Sequence, residues 1–178
     1  MNAKKALRET LKNQRNRLSF LDSQKKIENN LVSFIKEREF KDVALYAAIG
    51  SEIRVLSILP RLAHINFYLP RVVGRALEFA SFEKDSDLQK GAFGIMEPRA
   101  EAVPPGIIDL LILPGLGFST KGERLGYGGG FYDRFLSTQD CFSVGICDQR
   151  FLFASLPIET HDEGMDAVLT DGEIIFLA

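Results

Sequence analysis

The sequence predicts an α/β fold, a Rossmann-like three-layer sandwich in which a mostly parallel central sheet carries helices on both faces. Three observations predict it. Short apolar runs of strand length alternate with helical patterns along the chain. Two of these runs, residues 43–48 and 110–113, are apolar throughout, which is typical of central strands covered on both sides. A length of 178 residues without a long linker rich in Pro, Gly and Ser indicates a single domain over residues 1–178.

Helical patterns open the chain and recur between the strands. Apolar residues at helical spacing predict two amphipathic helices, over residues 4–18 and around 27–35, with Asp22 or Ser23 as the N-cap of the second. Two more helical patterns follow, at 53–62 and 131–136.

Seven apolar runs bounded by turn residues predict strands. Because helical patterns separate several of them, the middle of the sheet is predicted to be parallel, with ligands beyond the carboxyl ends of its strands. The stretch 83–105 holds three Pro and two Gly and is predicted to be an excursion over the active face or a rim. The seven runs are 43–48, 65–69, 77–82, 110–113, 142–147, 167–169 and 174–177.

The charge balance limits the classes of partner. Lys and Arg number 22 against 24 Asp and Glu, a net charge of −2, which argues against a basic coat for nucleic acid. The first 17 residues are nevertheless basic, and they either form a solvated helix face or attract an anionic ligand. Their cations are Lys4, Lys5, Arg8, Lys12, Arg15 and Arg17.

The longest apolar run and the small numbers of cysteine and histidine limit the cellular compartment and the metal chemistry. No run reaches the ~18 apolar residues of a membrane span, so a cytoplasmic protein is predicted. Cys141 and Cys147 lie in one apolar stretch and are predicted to be reduced core residues. With only two histidines, a His-rich metal cage is excluded.

A glycine-rich segment is the strongest functional feature. Four glycines fall within residues 126–130, between a buried strand and a helical pattern. Glycine allows close approach by a ligand, so such a run can direct backbone N–H groups at phosphate oxygens, and Arg124 and Lys121 add positive charge beside it. The spacing is neither that of a Walker A loop nor that of a dinucleotide-binding fingerprint, and a surface loop or tight hairpin is the alternative.

Several carboxylates could serve this segment. Asp133 lies in the first turn of the helix that follows, where it either complements the helix dipole or binds Mg²⁺ on the phosphates. A second metal-binding carboxylate could come from Asp162, Glu163 or Asp166, which otherwise solvate a loop. Glu52 follows the first strand, where α/β enzymes place ligand contacts, although it could equally be an N-terminal helix carboxylate.

These motifs together resemble the signature of the 5-formyltetrahydrofolate cyclo-ligases, also called methenyltetrahydrofolate synthetases. The core of the resemblance is residues 114–118, Gly122 and residues 124–134. Other features fit in order along nearly the whole chain, namely residues 4–8, Glu52, 69–71, 94–98, His161, Asp162 and Asp166.

The resemblance implies an enzyme dependent on ATP and Mg²⁺. In this family, 5-formyltetrahydrofolate becomes 5,10-methenyltetrahydrofolate, with release of ADP and phosphate. The γ-phosphoryl group activates the formyl oxygen, and nitrogen 10 then displaces phosphate, so catalysis depends on positioning and charge neutralisation. The implied partner is the small-molecule folate, with no nucleic acid or membrane, and the implied state is a monomer.

The resemblance also implies residue roles. Lys4, Lys5 and Arg8 contact the ATP phosphates, and Asp133 and Asp162 hold Mg²⁺. Glu52 binds the pterin in a pocket lined by Ala47, because a carboxylate can accept two hydrogen bonds from an amino-pyrimidine edge. Arg124 stabilises the transferring phosphoryl group, and Tyr127 closes over the substrate. The implied ATP loop is Arg124, Leu125, Gly126, Tyr127, Gly128, Gly129, Gly130, Phe131 and Tyr132.

Three departures from the family pattern affect fine contacts. Ser119 stands where the family often has Asp, and residues 53–55 replace an acidic residue and Thr. Gly129 stands where some members have Lys, which places more of the charge neutralisation on Arg124, Lys121 and the first helix. Two alternatives remain at this stage, a noncatalytic nucleotide- or RNA-binding module and an enzyme like the sugar-phosphate isomerases.

Overall fold

A computed structural model describes residues 3–91, 94–104 and 106–177. The α-helices are α1 (Ala3–Arg15), α2 (Leu21–Glu37) and α3 (Phe131–Leu136). Short 3₁₀ helices include Leu56–Arg61 and Gln149–Phe151. The strands in chain order are β1 (Asp42–Ala44), β2 (Asn66–Val73), β3 (Ala76–Ser81), β4 (Leu88–Lys90), β5 (Met96–Pro98), β6 (Leu110–Leu113), β7 (Gly117–Ser119), β8 (Arg124–Leu125), β9 (Phe142–Ile146), β10 (Leu152–Phe153), β11 (Ala167–Leu169) and β12 (Ile174–Phe176).

A seven-stranded sheet forms the centre, in the order β12-β11-β9-β6-β1-β2-β3. The five strands from β11 to β2 run parallel, and only the edge strands β12 and β3 are antiparallel to their neighbours. Each of the seven predicted strands corresponds to one of these strands. The mostly parallel α/β prediction is therefore confirmed.

Helices cover both faces of this sheet. Alternate residues of β1 point to opposite sides, so Val43 packs with α2 and the 3₁₀ helix Leu56–Arg61, whereas Ala44 packs with Leu11 of α1. The side of Ala44 also carries α3 and a small sheet of order β10-β7-β8. Two apolar cores thus share one sheet, as a three-layer sandwich requires.

The structure differs from the predicted elements in three places. The helical pattern at 53–62 is a 3₁₀ helix, Leu56–Arg61, with Pro60 inside it, which lacks the N–H that an α-helix needs there. Helix α2 begins after Phe20 without a side-chain cap, so neither Asp22 nor Ser23 caps it. The stretch 83–105 includes the hairpin of β4 and β5.

Over the described ranges, no helix combines the length and hydropathy that crossing a bilayer requires. Cys147 is buried, Cys141 is partly buried, and neither forms a disulfide.

Candidate active site

A cavity of about 570 Å³ opens at the carboxyl ends of the central parallel strands. Its walls come from α1, the loop after β1, the β2–β3 hairpin, β5, the glycine loop (residues 126–130) and the segment 159–162. Most of the predicted site residues line it, namely Lys4, Arg8, Ala47, Glu52, Arg124, Gly126, Tyr127, Gly128, Gly129, Gly130, Phe131, Tyr132, Asp133 and Asp162.

Three predicted residues lie outside the cavity wall. Lys4 is 3% exposed and faces the cavity, but Lys5 is about 100° further round α1 and faces solvent. Leu125 is fully buried in the core, because neighbouring strand residues point to opposite sides and Arg124 takes the cavity side. Lys121, expected beside the phosphates, is exposed in the turn between β7 and β8.

The glycine loop is fastened to its surroundings through backbone carbonyl oxygens. The Arg8 Nε of α1 donates to the Gly126 carbonyl at 2.9 Å, and the Arg134 Nη2 donates to the Gly129 carbonyl at 3.0 Å. Gly128 has φ +103°, which favours glycine, and a Cβ at Gly126 would lie 2.7 Å from the Arg124 Nη1. The positive φ of Gly128 therefore favours glycine, and a side chain at Gly126 would require the Arg124 guanidinium to shift.

Arg124 and Asp133 form a buried ion pair on the cavity wall. The Arg124 Nη2 donates to both carboxylate oxygens of Asp133, at 3.0 and 2.9 Å. Its guanidinium carbon lies 5.5 Å from the centre of the Tyr132 ring. The Arg124 Nε is buried and has no hydrogen-bond partner among the described residues. Arg124 is thus fixed in position with donor capacity left for a ligand.

A second ion pair joins the start of the chain to the segment 159–162. The Lys4 Nζ donates to Asp162 and, at 3.3 Å, to Glu159. Burial raises the pKa of Asp162, but hydrogen bonds from Lys4 and from the Glu159 N–H outweigh it and hold this pKa below its usual range. Ligand atoms of Glu159, His161 and Asp162 lie within 4.8 Å of one another, in a group that does not include Asp133.

The structure distinguishes Asp162 from Asp166 as a candidate metal ligand, a choice that the sequence without the family leaves open. Asp162 lines the cavity, whereas Asp166 is bound to β9, where its carboxylate accepts hydrogen bonds from the Ser143 N–H and hydroxyl, both at 2.7 Å. The Glu163 N–H lies 3.5 Å from the Asp133 carboxylate. The segment that carries Asp162 therefore touches Asp133.

Glu52 provides a further buried carboxylate of the cavity wall. It is 8% exposed and accepts a hydrogen bond from the Ile49 N–H at 2.8 Å. Burial raises the pKa of Glu52, and hydrogen bonds from the Ile49 N–H and Tyr127 with the charge of Arg15 oppose that rise only in part. An ionised Glu52 is accordingly under-solvated and suited to accept hydrogen bonds from a ligand.

The model of the 5-formyltetrahydrofolate cyclo-ligase family matches residues 1–171. The chain belongs to this family. The 5-formyltetrahydrofolate cyclo-ligase of Haemophilus influenzae is 30% identical over 151 residues, which cover 79% of this chain and 81% of the relative. The enzyme of the same name from Escherichia coli K12 is 31% identical over 144 residues, covering 74% and 79%.

Solved structures of the family have the same fold. The 5,10-methenyltetrahydrofolate synthetase of Aquifex aeolicus has a TM-score of 0.88 and 32% identity, covering 98% of this chain and 92% of that one. The synthetase of Mycoplasma pneumoniae has a TM-score of 0.77 and 25% identity, covering 95% and 99%. The family resemblance in the sequence is confirmed.

Two buried charged residues of this cyclo-ligase family member escape the sequence analysis. Arg15 belongs to the basic first helix yet is 1% exposed, and it donates to the carbonyl oxygens of Gly115 at 2.9 Å and Ser51 at 2.8 Å. Glu97 lines the cavity and accepts the Val72 N–H at 3.1 Å. Charge counts give no sign of burial, so only the tertiary structure identifies these two residues.

Proposed function

We propose that this member of the family is a 5-formyltetrahydrofolate cyclo-ligase, which makes 5,10-methenyltetrahydrofolate and converts ATP to ADP and phosphate. One observation carries the proposal. A single cavity is lined both by the cations Lys4, Arg8 and Arg124 and by the buried carboxylate Glu52. Cations match a polyphosphate, and a carboxylate matches the amino-pyrimidine edge of a pterin.

The reaction needs an activated oxygen because a formamide oxygen leaves poorly. In the first step the formyl oxygen bonds to the γ-phosphorus of ATP, and the bond from that phosphorus to ADP breaks. Nitrogen 10 then gives its lone pair to the formyl carbon and loses its proton. The carbon–oxygen bond breaks, phosphate leaves, and the five-membered ring closes. No protein nucleophile is required, so positioning and electrostatics provide the catalysis.

Arg124 is the proposed catalytic residue. Its 9% exposure and the Tyr132 ring beside it restrict the guanidinium to the cavity wall, so it needs little reorganisation when charge develops on the transferring phosphoryl group. Lys4 and Arg8, one helical turn apart on α1, bind the phosphates beside the glycine loop.

Glu52 is the proposed pterin-binding residue, with Ala47 in the same wall. A buried carboxylate with a raised pKa gains from each hydrogen bond that a pterin donates to it. Tyr127 is 38% exposed on the cavity rim and hydrogen-bonds Glu52, so its ring can cover a bound folate.

The carboxylates of the cavity fit Mg²⁺. This ion takes oxygen ligands, usually one or two carboxylates together with substrate phosphates and water. Asp133 and Asp162 both line the cavity, and the contact of Asp133 with the Glu163 N–H brings the two segments together. When bound with ATP, the ion neutralises phosphate charge. Each carboxylate holds a cation in this structure, so Lys4 and Arg124 would exchange a carboxylate for a phosphate.

The deciding experiment mixes purified protein with 5-formyltetrahydrofolate, ATP and Mg²⁺ and follows the near-ultraviolet absorbance of methenyltetrahydrofolate. Growth of absorbance that requires both ATP and the metal is the expected result. ATP hydrolysis without folate conversion, or turnover of a phosphosugar without ATP, would contradict the proposal. Salt-sensitive RNA binding without ATP turnover would support the noncatalytic alternative, which family membership does not favour.

A magnesium titration tests the metal residues. Asp133→Asn should raise the Mg²⁺ concentration that gives half-maximal rate more than it raises the folate KM. Asp166→Asn is the matched control, because that carboxylate is bound to Ser143 outside the cavity wall. An unchanged titration in Asp133→Asn would assign this carboxylate to the support of Arg124 alone.

The remaining expectations are part of the same proposal: one domain over residues 1–178, a cytoplasmic monomer, and no nucleic-acid or membrane partner. The net charge of −2 supports the absence of a nucleic-acid partner. Size-exclusion chromatography with light scattering should give the monomer mass, and a dimer mass would contradict that part.

A further inference from the structure

A second cavity adjoins the first at the edge of the sheet. It has a volume of about 680 Å³ and runs between β3, α3 and residues 102–104, 106 and 108, and we name it the β3 groove. Leu77 lines both the active-site cavity and the β3 groove, so the two cavities meet at this side chain. A ligand long enough to pass the Leu77 side chain would reach from the first cavity into the second.

Two arginines belong to the end of the β3 groove nearest the active site. Arg75 lies in the β2–β3 turn and Arg134 lies on α3 directly after Asp133, and both are exposed. The Arg134 Nε donates to the Arg75 carbonyl oxygen at 2.8 Å, which holds the two residues together. Neither guanidinium forms an ion pair with a carboxylate of the described residues.

The positive charge is confined to this end. Glu78, which also lines the groove, is neutralised by Arg71 at 2.9 Å. At the other end, burial and the charges of nearby aspartates, including Asp140, together raise the pKa of Cys141 to about 11. An anion in the groove is therefore attracted to Arg75 and Arg134 and repelled from the far end.

The direction of the folate fits this arrangement. Glu52 follows β1, whereas Leu77 is on β3, so two strand spacings, about 10 Å, separate the pterin wall from the entrance of the groove. A folate continues from its pterin through an aminobenzoyl ring to a glutamate with two carboxylates. A folate bound at Glu52 and extended along the β2–β3 hairpin would bring these carboxylates to the two arginines.

We propose that Arg75 and Arg134 form a subsite for the carboxylates of the folate's glutamate tail. This inference rests on the proposed function and extends it to a substrate determinant. The subsite selects folates with an anionic tail over pteroates that lack one. It acts on binding of the folate and leaves the phosphoryl transfer unchanged.

Arg75→Ala is the informative variant, because the Arg75 side chain has no hydrogen bond or ion pair with a described residue, whereas Arg134 also holds Gly129. The assay compares kcat/KM for 5-formyltetrahydrofolate and for 5-formyltetrahydropteroate, which has no glutamate. We expect the wild-type protein to prefer the glutamate-bearing substrate by about fivefold, the upper end of the scale for one exposed charge pair. Arg75→Ala should remove that preference by raising the folate KM, with kcat and the ATP KM unchanged.

Two further variants sharpen the test. Arg75→Glu should reverse the preference, because it places like charges together. Arg61→Ala is the control, since this exposed arginine is in the 3₁₀ helix Leu56–Arg61 and outside both cavities. Equal kcat/KM for the two substrates in the wild-type protein would overturn the inference, as would an Arg75→Ala defect in the ATP KM. Absence of methenyltetrahydrofolate from both substrates would instead contradict the proposed function.

Discussion

Each cation of the active site that we assign to ATP is held in place before ATP arrives. Lys4 pairs with Asp162, Arg124 pairs with Asp133, and Arg8 binds a carbonyl oxygen of the glycine loop. An unpaired buried charge is costly, whereas an exchange of partners avoids exposing one. Binding of a metal-bound triphosphate would replace these internal ion pairs with new ones, so the cations would change partners without being left as unpaired buried charges.

Loss of Arg124 should be severe. Arg124→Ala is expected to lower kcat at least ~100-fold, the scale of removing one preorganised charge donor from a transition state. Lys121→Ala, which removes an exposed cation outside the cavity wall, is the control and should leave kcat close to that of the wild-type protein. Steady-state kinetics decide, and a near-normal kcat in Arg124→Ala would remove Arg124 from the mechanism.

Glu52 should link pH to folate binding. Burial raises its pKa, so the ionised form that accepts hydrogen bonds is lost at a higher pH than for an ordinary glutamate. We expect kcat/KM for the folate to fall on the acid side with this raised pKa. Glu52→Gln should lower kcat/KM about 10-fold or more, since a buried hydrogen-bonded charge is lost, and should flatten that acid limb. If the fall of kcat/KM on the acid side is unchanged in Glu52→Gln, another group is responsible for that fall.

The same substitution has an opposite expected effect on stability. A carboxyl whose folded-state pKa is raised holds its proton more tightly when folded, so the free energy of unfolding falls as pH rises through that range. Glu52→Gln carries no charge and should therefore be as stable as the wild-type protein at pH 7, or more stable. Urea unfolding at pH 5 and pH 7 measures this difference, and a large loss of stability at pH 7 would contradict it.

How far the sequence predicts the site depends on the kind of residue. The glycine loop and Asp133 are local in sequence, so spacing and family resemblance identify them. Arg15 is grouped with the solvated cations of the first helix, yet its charge is buried among carbonyl oxygens and lies close enough to Glu52 to affect its pKa. Burial of this kind depends on which loops pack over the helix. Those loops are distant in sequence, so local sequence patterns do not predict the burial.

At the scale of elements, α1 has two functions along one stripe. Lys4 and Arg8 face the cavity, and further along the helix Leu11 and Arg15 are buried against the core and the loops after β1 and β6. The buried end of the helix thereby holds its phosphate-binding end in position.

Periodicity predicts α1 correctly, but the 3₁₀ helix Leu56–Arg61 shows that apolar spacing does not distinguish helix types where Pro60 interrupts the hydrogen bonds.

The short helix Gln149–Phe151 is stabilised by its N-cap. Asp148 is 3% exposed and accepts hydrogen bonds from the Arg150 N–H, Nε and Nη2 at 2.7–2.9 Å. Burial raises the pKa of Asp148, but these hydrogen bonds and one from Ser23 lower it to about 2. Because Arg150 also donates to the Ser19 carbonyl, the cap joins this helix to the α1–α2 loop.

Asp148→Asn should therefore destabilise the protein by about 1–2 kcal/mol at pH 7. A carboxylate with a lowered pKa contributes stability above its unfolded pKa and loses it as pH falls toward about 2. The difference between variant and wild type should accordingly narrow below pH 4. Denaturant unfolding at several pH values measures it, with the exposed Asp140→Asn as control. A constant difference across pH would contradict the ion-pair explanation.

At the scale of the whole molecule, the two apolar cores share one sheet and are inseparable. Val43 and Ala44 are neighbours on β1, yet they belong to different cores, so unfolding one side removes the support of the other. The alternation of strands and helices predicts this three-layer design from sequence. The order of the strands requires long-range pairing, which local patterns do not specify.

Thermal unfolding should therefore occur in one cooperative transition. We expect the calorimetric and van't Hoff enthalpies to agree, as for a single two-state domain. ATP with Mg²⁺ at 100 times its Kd should add about 2.7 kcal/mol to the free energy of unfolding, because it binds only the folded chain. Two resolved transitions in scanning calorimetry would contradict the single domain.

The pairing of Lys4 with Asp162 also has a consequence for the order of biosynthesis. These partners are 158 positions apart, and a ribosome makes the first long before the second. During translation the basic helix α1 would leave the ribosome with its carboxylate partner still unmade. Contacts between distant positions also slow folding. Catalytic competence should consequently appear only after Asp162 has been synthesised, so nascent chains halted before residue 162 should be inactive.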